Sequence, residues 1–338
     1  MGDVIVKQAL FPAPDPARCC EALSDDAALK QIIWDKLQGG MPGGGVLRPF
    51  LWLKVPGAST TILYFHANGE DLSNCRSHLR RLCTQLTVNV LGVEYPGYGL
   101  CPVQDQGTCT CSQYGSTTVR GIDQAAIHAL QFLVSRQGIP ASQVVLHGHS
   151  LGSGPALRLA RYARDILCWS VGGLVLQSPF ISIAQVAVDY GGKLGPLLVP
   201  NYYNNIATLR ELCWQGSADA TKSWVPGELG SRQWIPMLIV HGEKDGVVAP
   251  YHGRRLLEEA LRCGHPAVEA VFPSTATHCS FESMDHLLQP IKNFMKCHLS
   301  IPWATSDSPV RRAAGCVSCC KARELPSSAR VAQAQGGA

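Results

Sequence analysis

The sequence predicts an α/β protein: a mostly parallel central sheet with helices on both faces. Three observations carry this. Short, continuously apolar runs of strand length alternate with segments of helical period, as buried parallel strands joined by crossover helices do. The 338 residues are 46% hydrophobic and only 16% charged, enough apolar matter for one large core. Finally, the glycine-flanked run Gly148-His149-Ser150-Leu151-Gly152 stands directly between an apolar run and a helical pattern.

The strand-like runs are residues 61–65, 88–93, 144–146, 174–177, 238–241 and 268–272. Between the second and third, residues 121–134 place Ile122, Ala126, Ala129, Leu130 and Leu133 on one helical face. Helical patterns also cover 155–164, 251–262 and 283–298. The chain divides into an N-terminal segment (1–45), the α/β domain (46–300) and a tail (301–338), with no internal repeat. Residues 179–233 break the alternation and read as a lid-like insertion. They carry Asp189-Tyr190-Gly191-Gly192, the cluster Asn201-Tyr202-Tyr203-Asn204-Asn205, and Trp214 and Trp224, with Trp234 just beyond. Within the insertion, the apolar run 194–199 and the aromatics are candidates to line an acyl groove, and an ordinary packed excursion is the equal alternative. Residues 215–231 read as a polar insertion without chemistry of its own.

The strand–turn–helix setting of Gly148–Gly152 is that of a nucleophile elbow. A sharp turn into a helix strains the backbone at the serine, so its neighbours must be small, and Gly148 and Gly152 are. The helix N-terminus beyond directs amide N–H groups at any anion formed there. In α/β-hydrolases the partners follow in the order serine, acid, histidine, each after a strand. Asp245 follows the run 238–241, and His278, 33 residues on, follows the run 268–272. Asp189, Asp219 and Glu243 are rival acids, but Asp245 lies deeper in its turn and precedes Gly246. His286 and His298 sit in the terminal helical pattern, His265 precedes Pro266 in a turn, and His147 and His149 flank the serine. Only His278 completes the order.

These positions predict an acyl-transfer hydrolase of α/β-hydrolase fold. Ser150 attacks a carbonyl, His278 moves the proton and Asp245 orients the imidazole. The oxyanion needs preorganised donors. One is assigned to the backbone N–H of Leu151. The other is assigned to that of Asn68, with Ala67 as its close rival, because the run 61–65 ends in His66-Ala67-Asn68-Gly69. No cofactor or metal is called for. Alternatives within enzymes are a lipid esterase or a prolyl-oligopeptidase-like peptidase, although the chain has no room for a gating propeller. A non-enzymatic scaffold on the same fold is the alternative outside them.

The net charge of +4 is mild and no basic stripe is interleaved with aromatics, so nucleic acid is not an expected partner. Asp3 and the lack of a long apolar run argue against a secretory signal, and Met1-Gly2 fits myristoylation poorly. No stretch approaches the length that spans a bilayer. Fifteen cysteines without a secretory signal point to buried small side chains rather than disulfides. Cys109-Thr110-Cys111 lacks partner pairs for a metal site. From Ser306 the tail turns small and polar and is expected to be disordered. Within it Cys316, Cys319 and Cys320 lie among Arg311, Arg312, Lys321 and Arg323. Clustered thiols beside basic residues suit S-palmitoylation at an anionic membrane surface, where several chains are needed for stable anchoring. Zinc binding and an inert tail are the alternatives. The expected location is the cytoplasmic face of a membrane, or the cytoplasm.

The elbow, the motif His66-Ala67-Asn68-Gly69-Glu70-Asp71-Leu72, the run Glu94-Tyr95-Pro96-Gly97-Tyr98-Gly99, and His241-Gly242-Glu243-Lys244-Asp245 with His278 together resemble the α/β-hydrolase domain-containing protein 17 family. The segment Ala9-Leu10-Phe11-Pro12-Ala13-Pro14 resembles it too, and the likeness covers most of residues 10–299. The resemblance implies a membrane-associated serine hydrolase that removes palmitate from proteins. It places nucleophile, acid and base on Ser150, Asp245 and His278. This chain departs from the family in three respects: Ala67 stands where the family has glycine, the segment near 215–231 is longer, and the cysteine cluster lies at the C-terminus, with only Cys19-Cys20 near the start.

Overall fold

The computed structural model describes residues 31–36, 47–101, 117–192, 199, 202–213, 234–281 and 283–299. Among them, strands β1 (Ile32–Lys36), β2 (Leu47–Leu53), β3 (Thr61–Phe65), β4 (Asn89–Val93), β5 (Val144–His149), β6 (Gly173–Gln177), β7 (Met237–Val240) and β8 (Val268–Val271) form one sheet. Its order is β1-β2-β4-β3-β5-β6-β7-β8. The pairs β1–β2 and β2–β4 are antiparallel and the rest are parallel. The predicted fold class is therefore found.

Burial on both faces explains the continuous apolar runs. In β3, Leu63 and Phe65 join one core cluster while Ile62 and Tyr64 join the other. In β7, Met237 and Ile239 face one way and Leu238 and Val240 the other. Each such fully buried side chain stabilises the fold by about 2 kcal/mol, before entropy is counted. One face is covered by α1 (Leu72–Leu86), whose Leu72, Leu79, Leu82 and Leu86 are buried, and by the terminal helix bearing Ile291, Phe294 and Met295. The other is covered by α2 (Val119–Gln131) and α3 (Ser153–Asp165), with Ile122, Ala129, Leu157 and Ala160 inward.

Caps set the helix starts. The Asp71 carboxylate accepts from the Asn74 N–H at 2.9 Å and the Thr118 hydroxyl from the Gly121 N–H at 3.0 Å. α3 begins two residues before the predicted Pro155. Proline is tolerated there because first-turn N–H groups have no partner within the helix. α2 ends at Gln131, and a π-helical turn, Phe132–Arg136, completes the segment predicted as one helix.

Strands β1 and β2 lie outside the six predicted runs, and β1 falls within the segment 1–45. Asp35 and Lys36 in β1 and Arg48-Pro49 in β2 mask the apolar pattern. The buried Asp35 carboxylate is held by His128 Nε2 at 2.7 Å and by Arg136.

The insertion 179–233 contributes α4 (Ile183–Gly191) and α5 (Asn205–Cys213). α5 packs against α3 and against α6 (Tyr251–Arg262), burying Leu209, Leu212 and Cys213. α4 is tied to the loop after β7, where the Tyr190 hydroxyl donates to the Val247 carbonyl at 2.6 Å. Residues 194–198, 215–231 and the whole tail, with Cys316, Cys319 and Cys320, lie outside the described residues, as do Cys19, Cys20, Cys109 and Cys111. Beyond α6 and β8 the chain closes with a π-helical turn, Ser283–Leu288, and α7 (Gln289–His298). No helix among the described residues is long and apolar enough to cross a membrane.

Candidate active site

The parallel strands all point their carboxyl ends to one edge of the sheet, and the functional side chains gather there. Ser150 follows β5 with φ +50°, a left-handed conformation that costs a non-glycine residue energy. Close packing enforces it. A Cβ at Gly148 would run into the Gly152 carbonyl, and one at Gly152 into the Phe65 carbonyl of β3. The turn is further pinned by the Ser153 hydroxyl, which donates to the Ser150 carbonyl at 2.7 Å.

The structure brings Ser150, His278 and Asp245 together from three separate loops. The Ser150 hydroxyl donates to His278 Nε2 at 2.9 Å, and His278 Nδ1–H donates to Asp245 Oδ2 at 2.8 Å. All three residues are buried. The other Asp245 oxygen accepts the Val247 and Val248 N–H groups at 2.9 and 2.8 Å. Burial opposes ionisation of Asp245, but the hydrogen bonds from His241 and His278 overcome it and hold the carboxyl well below its ordinary range. An ionised acid beside Nδ1 fixes the tautomer whose Nε2 lone pair faces the serine.

His241 is a partner that spacing alone did not single out. Its Nε2 lies 3.2 Å from Asp245 Oδ2 and 2.8 Å from the Val248 carbonyl, so it clamps the acid's loop from the position just after β7. The signal was present as a histidine four residues before the acid at a strand end. His149 is another. Its Nε2–H donates to the His278 carbonyl at 3.2 Å, and its Nδ1 stands 3.7 Å from Glu70 Oε2. Burial opposes ionisation of Glu70, yet His149, His66 and the Ala67 N–H hold its carboxyl well below the usual range.

The loop after β3 is built around a buried pair. His66 Nδ1–H donates to the Ala67 carbonyl at 2.9 Å, and Nε2 meets Glu94 Oε1 at 3.1 Å. Burial lowers the His66 pKa, but Glu94 more than offsets this and raises it; burial raises Glu94 in turn, against the hydrogen bond from His66. The Tyr95 hydroxyl donates to the His66 carbonyl and the Tyr98 hydroxyl to Asn68 Oδ1, both at 2.8 Å. The run 94–99 thus shapes the loop that carries Asn68. The Ala67 N–H donates to Glu70 Oε2 at 3.0 Å, which engages the rival oxyanion donor. Leu151 is the middle residue of the turn Ser150–Gly152 that leads into α3.

The rival residues have structural occupations. His286 and His298 sit on the terminal turn and helix, His298 against Glu269 at 2.6 Å. His265 bridges the Ile235 carbonyl and the Ala267 N–H, His147 meets Gln177 at 3.1 Å, and Glu243 pairs with Arg254. Asp189 binds His252 and Tyr251. Asp219 lies outside the described residues.

No family model matches the chain. It is 26% identical over 245 residues to alpha/beta hydrolase domain-containing protein 17C of Xenopus tropicalis, covering 72% of this chain and 64% of that protein. The Xenopus laevis 17C protein is 26% identical over 296 residues, 84% of this chain and 78% of that one. Human 17B is 27% identical over 244 residues, 72% and 69%. The chain thus spans between 64% and 78% of these relatives' length. Among solved structures, an α/β-hydrolase from Vibrio vulnificus matches with a TM-score of 0.58 at 17% identity, over 87% of this chain and 91% of that one. The esterase LipW of Mycobacterium marinum matches with a TM-score of 0.52 at 18% identity, over 83% and 84%. Fold and relatives agree with the resemblance read in the sequence: the chain has the α/β-hydrolase fold and is similar to the α/β-hydrolase domain-containing protein 17 proteins.

Proposed function

We propose that this serine hydrolase cleaves acyl thioesters and esters, with removal of palmitate from protein cysteines as its principal reaction. The observation that carries the reading is the hydrogen-bonded chain from Ser150 through His278 to Asp245, at 2.9 and 2.8 Å. Ser150 Oγ adds to the acyl carbonyl as its proton passes to His278 Nε2, and Asp245 stabilises the resulting imidazolium. The N–H groups of Leu151 and Asn68 receive the oxyanion; one such donor is worth about 3 kcal/mol. Collapse breaks the C–S bond and expels the cysteine thiolate, a good leaving group that needs little help from the acid and carries off the His278 proton as a thiol, leaving the imidazole neutral. Water, deprotonated by His278, then hydrolyses the acyl-serine, releasing fatty acid and restoring the hydroxyl. The thioester preference draws on the resemblance to the 17 family. Acylation of Cys316, Cys319 and Cys320 would bring the domain to a membrane surface bearing such substrates.

The test is hydrolysis of a palmitoyl-cysteine thioester beside the Ser150→Ala variant. Turnover that vanishes in the variant is the expected result. Turnover of oxyesters or peptides but not thioesters would overturn the substrate assignment. Acyl exchange on the full chain, with and without the tail cysteines, tests the anchor.

A further inference from the structure

Beside the serine, His278 shares a cluster with two side chains that the hydrolytic chemistry does not use, His149 and Cys279. One ligand atom each from His149, His278 and Cys279 lie within 4.8 Å of one another. His149 and Cys279 also line an adjoining cavity of about 140 Å³, together with His78, Glu70 and Cys75. The Nε2 atom of His78 is buried there without a hydrogen-bond partner.

We propose that His149, His278 and Cys279 form an inhibitory binding site for zinc or a similarly soft divalent cation, open on its fourth side toward the His78 cavity. Two imidazoles and a thiolate are the donors such ions select. Around one zinc ion, ligand atoms stand roughly 3.2–3.8 Å apart, so a triangle no wider than 4.8 Å closes by side-chain rotation. Cys279 is exposed and reachable by an incoming ion. On binding, the thiol proton leaves to solvent and sulfur donates a lone pair to the metal, with no change of oxidation state.

The consequence follows from His278. Both its nitrogens are engaged, Nε2 with Ser150 and Nδ1 with Asp245. Ligation through either breaks one of these bonds, so metal binding and general-base catalysis exclude each other. This outcome rests on the hydrolase reading; the binding site itself does not.

The experiment uses the full chain carrying Cys316→Ser, Cys319→Ser and Cys320→Ser, so that tail thiols do not compete for metal. Zinc is expected to inhibit ester turnover, with recovery on adding a chelator. A further Cys279→Ser change should leave metal-free turnover intact and raise the half-inhibitory zinc concentration at least tenfold. Cobalt(II) should give a thiolate-to-metal charge-transfer band that persists in Ser150→Ala and disappears in Cys279→Ser. Unchanged zinc inhibition in Cys279→Ser, or a cobalt spectrum without the thiolate band, would overturn the proposal. A protein without turnover that still shows the Cys279-dependent band would refute the hydrolase reading and keep the metal site.

Discussion

Two histidine–aspartate pairs stand close together near the carboxyl edge of the sheet, and only one of them is arranged for chemistry. His278 meets Asp245 at 2.8 Å and His252 meets Asp189 at 2.7 Å, so distance does not separate them. The other ring nitrogen does. His252 Nδ1 accepts the Ile181 backbone N–H at 3.1 Å, which consumes its lone pair. His278 Nε2 instead accepts the Ser150 hydroxyl. Burial lowers the His252 pKa despite Asp189, so this ring is neutral and serves as a strut between α4 and α6. A histidine becomes a base by what its free nitrogen faces, not by owning a carboxylate.

Breaking the two pairs separately should expose that difference. The largest effect is expected for Ser150→Ala, with kcat reduced by about 10⁵–10⁶ at unchanged thermal stability. Asp245→Asn should follow at about 10⁴, because the amide favours the wrong imidazole tautomer. Asp189→Asn should cost less than about tenfold in kcat, on the scale of one general-base contribution left in place, while lowering Tm by removing the α4–α6 strut. Steady-state kinetics and thermal melts on the three variants give the ranking, and equal losses for both aspartates would collapse the distinction.

The elbow offers a backbone version of the same test. Gly148→Ala should destabilise the protein by about 3 kcal/mol or abolish folding, since the added methyl meets backbone that cannot swing aside. Gly246→Ala, in the loop beside Asp245, has open space at its Cβ and should change stability by no more than about 0.5 kcal/mol. Chemical denaturation of the two variants compares them directly.

The last comparison concerns pH. His147 is fully buried against Tyr64 and Gln177, and burial pushes its pKa down to about 3. Between the ordinary value of 6.5 and that value, the unfolded chain binds a proton that the folded one refuses. Stability is therefore whole above this window and falls on acidification by up to about 1.4 kcal/mol per pH unit. In His147→Asn the slope of unfolding free energy between pH 6 and 4 should be shallower by about one proton; an identical slope would show that His147 charges in the folded state.

What the sequence made legible was whatever depends on local pattern and chain order. Apolar runs marked five strands buried on both faces and the half-buried edge strand β8; depth in the turn before Gly246 pointed to Asp245 over Asp189, and chain order to His278 over five other histidines. Contacts distant in sequence left no such mark. The Asp35–His128 pair that secures β1 spans 93 residues, and the Ile181–His252 bond that disarms the rival base spans 71. His149 and Glu70 look like ordinary loop residues until β3 and β5 are set side by side in register. Pro49 and the charges of β1 and β2 hid two strands whose burial is decided by their neighbours.

The most direct test is the site and rate of covalent labelling by a fluorophosphonate, mapped by mass spectrometry in the unaltered protein and in Asp245→Asn and Asp189→Asn. The account predicts a single adduct on Ser150, formed at least a hundredfold more slowly in Asp245→Asn and within a few-fold of normal in Asp189→Asn. An adduct elsewhere, or labelling of Ser150 that ignores Asp245 and depends on Asp189, would contradict it.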